Sequence, residues 1–296
     1  MMSLSLWALF TLLSRITLYA SVACAIGGLF ASVLLVRHRE SATAIRRYTF
    51  WGCVAGIIAT LIGFGIQVGA LSDQGLKGML NTDMMAILWQ ASVGTSVALQ
   101  LSGFLLIGAA TGWLLKTQKT NSVLLKALML SGGLSLLAAF SQVGHFAEQP
   151  LLGKVAISLH VLAMSLWMGS LYPLWRVSRT DDLPEIQRSM ERFGQIAAVI
   201  VGALVACGIF MAAMLLKDFN TLFFTPYGRG LLLKLALVSS LLFLAASNKW
   251  LTVPRLMQSG FSTRLSRAIA IEMCVGAIIL LVTGIITIII GIDMNH

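Results

Sequence analysis

The sequence predicts an all-α fold, a polytopic helical bundle that crosses a membrane about eight times. Three observations carry that reading. Of 296 residues, 58% are hydrophobic and only 11% are charged, against about 25% charged in an ordinary soluble domain. The apolar residues recur in runs of the length a helix needs to cross the hydrocarbon, about 20 residues for roughly 30 Å. Lys and Arg gather in alternate loops, as they do where cytoplasmic loops retain positive charge.

Taken in order, the predicted spans are 16–36, 49–71, 89–115, 124–145, 152–175, 193–216, 230–247 and 268–292. The first follows an uncharged stretch containing Trp7, which either lengthens that span or lies in the interface. With no cationic segment ahead of it and no small-residue cleavage site after it, the first run is expected to be a retained helix, not a signal peptide. The second starts after Arg46 and Arg47 and carries Gly63, Gly65 and Gly69; the third ends at Lys116 and carries Gly103, Gly108 and Gly112. Small residues about a turn apart permit close helix contact, and packing is the role expected of them. The fourth span ends in His145, and the fifth contains His160 and stops before Arg176. The sixth follows Arg192, the seventh lies between Arg229 and Lys249, and the last, after Arg267, contains Glu272.

With eight spans, every cation-rich loop falls on one side: Arg37 to Arg47, Lys116 to Lys126, Arg176 to Arg192, and Lys249 to Arg267. The other side holds only Arg15, Lys77, Lys154, Lys217, Arg229 and Lys234. The positive-inside rule then places both termini in the periplasm of a bacterial-type inner membrane. The net charge of +10 is thereby read as contact with membrane lipid, and no nucleic-acid partner is expected. The loops are too short for a folded soluble domain, so residues 1–296 are expected to form a single transmembrane domain. Cys24, Cys53, Cys207 and Cys274 fall singly within spans, without a CxxC pair, and read as small apolar side chains. HExxH, GxSxG and phosphate-loop motifs are absent from the sequence, and no enzyme is expected.

Ionisable and polar groups within a span are costly and therefore candidates for function. His145 and His160 both fall in the outer half of adjacent spans, and Met164 follows His160 by four residues, one turn deeper on the same helix face. Imidazole with thioether suits a soft ion such as Cu(I). Met84 and Met85, with Met79 and Asp83, form a candidate outward entry patch, as do Met211 and Met214. Glu272 is a carboxylate about one turn inside the last span, available as an inner-half ion ligand or as the partner of Arg264 or Arg267. The bland alternative for each is ordinary: a hydrogen-bonded interhelical His, a gap-filling Met. A different alternative is a membrane b-type haem protein with His145 and His160 as axial ligands.

The second half carries a resemblance. "LHVLAMSLWMGSLYPLW", with His160, Trp167, Gly169, Ser170 and Pro173, is similar to the membrane domain of the copper-resistance protein D (CopD) family. So are "GHFAEQP", "ERFGQIA", "YGRGLLLKLALV" and a last helix beginning "RAIAIEM"; "TDMMAILWQASVGTS" in the first half is also similar. The resemblance implies copper transport or transfer between periplasm and cytoplasm, beside a periplasmic CopC-like copper-binding partner. Many relatives are fused to a CopC-like domain; this chain shows none, so the partner is expected to be a separate polypeptide. The resemblance also favours His145 and His160 as the metal residues; Met164 beside them, and Glu272, Met84 and Met85 along an ion path, are expected from the residue chemistry above. Because imidazole ligates only when neutral, copper binding is expected to weaken below about pH 6.5.

Overall fold

A computed structural model describes residues 6–35, 39–117, 122–144, 148–180, 182–215, 219–258 and 260–290. Among them are ten α-helices and no strand: α1 Leu6–Leu34, α2 Arg39–Ser72, α3 Thr82–Gln90, α4 Ser92–Thr117, α5 Val123–Phe140, α6 Leu151–Val177, α7 Leu183–Leu215, α8 Phe219–Phe224, α9 Pro226–Ser247 and α10 Phe261–Ile285. All but α3 and α8 are long and apolar enough to cross a membrane, which makes eight candidate spans. The chain is a multi-pass membrane protein.

Helix ends depart from the hydropathy reading in a consistent way. Helices α1, α2 and α7 begin at Leu6, Arg39 and Leu183, each ahead of its predicted span. Hydropathy finds the edge of the hydrocarbon, whereas the helix continues into the headgroups wherever residues such as Arg, Glu and Ala favour it. Helix α7 has a capping contact of its own, the Asp182 carboxylate accepting the Glu185 N–H at 3.0 Å. The third span starts later than predicted because Ala91 is extended, at φ −83° and ψ 174°, and separates α3 from α4. The fourth ends at Phe140, short of the predicted His145.

The chain forms two compact units. The first comprises Met1–Ala25 and Arg46–Leu162, and small residues dominate its packing. Helices α4 and α5 cross backbone to backbone: a Cβ on Gly103 would lie 2.8 Å from the Gly132 carbonyl oxygen, and one on Gly132 would lie 2.9 Å from the Gly103 carbonyl oxygen. The other glycines singled out by their spacing also face neighbours, Gly63 against Ser14, Gly65 and Gly69 against Met79, Gly108 against Cys53 and Gly112 against Phe50. Replacing Gly103 with Leu is expected to force α4 from α5 and cost about 1–3 kcal/mol or more. The check is the melting temperature of the purified variant, with Gly133→Leu as the control, since a Cβ there meets nothing within 4 Å.

A polar chain ties the same unit together. The Gln100 amide donates to Ser96 Oγ at 3.1 Å, and Ser96 donates to the Ala139 carbonyl at 3.0 Å. The Thr60 hydroxyl lies 2.8 Å from the Gly56 carbonyl and 3.2 Å from Gln100 Oε1. With Thr60, Ser96 and Gln100 all buried, α2, α4 and α5 share one satisfied network, the arrangement that makes buried polar groups affordable in a membrane.

The second unit comprises Ile26–Ile45 and Ala163–His296. Its core packs Trp167, Leu171 and Leu174 of α6 with Ile186, Met190 and Phe193 of α7 and Leu265 and Ile269 of α10. Here α1 meets α6 at Gly27, where a Cβ would lie 2.5 Å from the Gly169 Cα. Pro173 is buried inside α6 and gives up the helical bond to the carbonyl four residues back. Helix α9 runs into a π-helix, Asn248–Thr252, and α10 into another, Ile286–Ile290.

Candidate functional site

His160 is half-buried on α6, in the first unit. Half a turn earlier, Ser158 Oγ lies 2.9 Å from the Lys154 carbonyl and 3.4 Å from the Leu137 carbonyl, so the helix is fastened to α5 beside the imidazole. His145 lies outside the described residues, and with it the pairing on which both the two-imidazole copper site and the haem alternative depend. The segment leading to it ends at the rim of a cavity. A space of about 30 Å³, enough for one or two waters, is lined by Ser14, Arg15, Thr60, Gln67, Ser96, Gln100 and Val143, among others. Gly144 follows in the left-handed region at φ 70°. Nothing in the linear pattern marked this cavity, because its walls come from four stretches far apart in the chain.

The methionines of the two predicted entry patches divide. Met84 and Met85 are both half-buried in the first turn of α3. Asn81 holds that turn, accepting the Met84 N–H on its side chain at 2.9 Å and the Met85 N–H on its carbonyl at 2.9 Å. An edge-to-face contact of Trp89 with Phe64, centroids 6.1 Å apart, seats α3 on α2. Met79 instead lies against Gly65 and Gly69 and serves packing. On α7, Met211 is buried and Met214 half-buried.

In the second unit, Met164 is half-buried on α6. Met168 comes one turn later, and its thioether lies against Gly276 of α10, whose Cβ, if present, would stand 2.8 Å from Met168 Cε. Gly276 is one turn from Glu272 along α10. The four-residue spacing of Met164 and Met168 is the sequence signal for this second thioether, a weak one because Met on an apolar helix is usually filler.

Glu272 is 4% exposed. Of its two expected partners, Arg264 is exposed and rests over the Phe261 ring at 5.4 Å, and Arg267 is exposed. The carboxylate instead accepts a 2.6 Å hydrogen bond on Oε1 from the Asn248 side-chain amide. Asn248 stands where α9 passes into the π-helix, within reach of the carboxylate, whereas the long side chains of Arg264 and Arg267 near the start of α10 are exposed. Lys249, next in the chain, donates to the Gly194 carbonyl of α7 at 2.8 Å. Among the described residues no cluster of three or more His, Cys, Asp or Glu side chains forms a ready-made metal cage.

Comparison with known proteins agrees with this architecture. The family profile "Copper resistance protein D-like, N-terminal domain" matches residues 5–154, and "Copper resistance protein D" matches residues 187–286. The "Copper transport protein CutJ" of Bacillus subtilis (strain 168) is 23% identical over 289 residues, covering 94% of this chain and 52% of that relative. The chain thus spans about half the length of the curated relative it matches. No solved structure matches. With one profile over the first four spans and the other over the last three, on a chain with eight candidate membrane spans, the chain belongs to the copper resistance protein D family of membrane proteins.

Proposed function

We propose that this chain carries copper across the inner membrane, or passes it between periplasm and cytoplasm, as a transporter and not an enzyme. The observation that supports the reading most is the similarity to a copper transport protein across 94% of the chain, so that all eight candidate spans lie within or beside matched sequence. The arrangement of donors supports it further. Copper enters from the outer face past Met84 and Met85, is taken by His160 with His145, and moves along α6 by Met164 and Met168 toward Glu272. Thioethers hold Cu(I) without holding it tightly, and a buried carboxylate balances the cation's charge in the inner half. On this reading both termini face the periplasm, as the distribution of loop cations favours, and a CopC-like periplasmic protein delivers or accepts the metal. The whole chain acts as one membrane domain.

The test is metal analysis of the protein purified in mild detergent and loaded with copper. Copper is expected to stay with the parent protein and to fall at least tenfold in affinity in His145→Ala/His160→Ala, the scale on which metal sites respond to losing their supporting groups. An absorption spectrum with a Soret band would overturn this reading in favour of haem.

A further inference from the structure

A second site lies apart from the copper path, where the end of α1 meets the start of α7 within the second unit. A cavity of about 70 Å³ is lined by Val33, Leu34 and Leu35 on one side and by Glu185, Arg188, Ser189 and Arg192 on the other. Arg188 and Arg192 are exposed and four residues apart, so both guanidinium groups emerge from one face of α7. Ser189, between them, is only 4% exposed yet lines the cavity. Among the described residues no hydrogen bond or ion pair engages the Ser189 hydroxyl or either guanidinium. The predicted hydrocarbon run begins at residue 193, so the pair sits at headgroup depth. Val33, 88% exposed, supplies an apolar wall beside it.

From this geometry we infer that the cavity binds the phosphate of an anionic phospholipid headgroup, with Arg188, Arg192 and Ser189 as donors and Val33 to Leu35 against the upper acyl chain. The lining carries two guanidinium groups against one carboxylate, which favours an anion, and the apolar wall of Val33 to Leu35 favours one that carries an acyl chain. Arginine forks fit phosphate oxygens in pairs, and basic pockets between helices on the cytoplasmic side are suited to such headgroups. The site is independent of the copper path, and its test does not measure copper.

The full chain, purified in mild detergent, is titrated with short-chain phosphatidylglycerol, short-chain phosphatidylcholine and inorganic phosphate, with bound lipid read by native mass spectrometry. Phosphatidylglycerol is expected to bind the parent protein at least tenfold more tightly than it binds Arg188→Gln/Arg192→Gln, and more tightly than phosphatidylcholine binds the parent. Arg264→Gln/Arg267→Gln, which removes two exposed arginines elsewhere, is expected to leave that affinity within twofold. Both pairs are exposed, so the fold is not at risk. Equal affinity in the parent and the Arg188/Arg192 variant would overturn the inference. So would an equal loss in the control pair, or inorganic phosphate binding as tightly as the lipid.

Discussion

His160→Ala is expected to lower copper uptake into vesicles at least tenfold while leaving the melting temperature of the purified protein within a few degrees. The imidazole is half-buried, and α6 is fastened to α5 by the Ser158 contacts and not by the ring alone. On the proposed path, losing this imidazole removes the one strong nitrogen donor on the helix, since His160 is the one histidine among the described residues. Met164→Leu and Met168→Leu keep volume and apolarity but not the sulfur, and each is expected to cost two- to fivefold in uptake, because thioethers are weak donors that share the ion.

The second large effect is expected at Glu272, where structure and transport separate. Glu272→Gln keeps an oxygen that accepts the Asn248 amide, so the 2.6 Å contact survives and stability is expected to stay within about 1 kcal/mol of the parent. Glu272→Leu leaves the Asn248 amide without its acceptor, and is expected to cost about 1–3 kcal/mol. If the carboxylate balances a copper ion in the inner half, both variants lose at least tenfold in uptake despite their different stabilities. If it serves only to hold α9 to α10, uptake follows stability and Glu272→Gln transports like the parent. Thermal denaturation and vesicle uptake on the same two proteins distinguish the outcomes.

The fold was largely legible because one physical requirement dominates the sequence. Each crossing needs about 20 apolar residues, and the polar loops mark where one crossing stops and the next begins. What hydropathy missed were features that the bilayer does not set. The charged helical turns at the starts of α2 and α7 lie beyond the hydrocarbon, and the break at Ala91 is a single backbone conformation between two helical runs. Site residues were legible where their chemistry is rare in a membrane. His160 and Glu272 stand out in any apolar helix. Their surroundings did not: Asn248 lies just past the predicted seventh span, and the cavity beside Thr60 and Gln100 assembles from separate helices. The pairing of Glu272 with an amide and not an arginine followed from the direction of side chains at helix ends, which composition does not encode.

Copper flux through the purified chain in otherwise protein-free liposomes bears most directly on the whole account. Liposomes containing the chain should accumulate copper at least tenfold faster than empty ones when the outside holds Cu(I) kept reduced. Uptake no faster than that of empty liposomes, by protein that is folded and inserted, would contradict a passage through these helices.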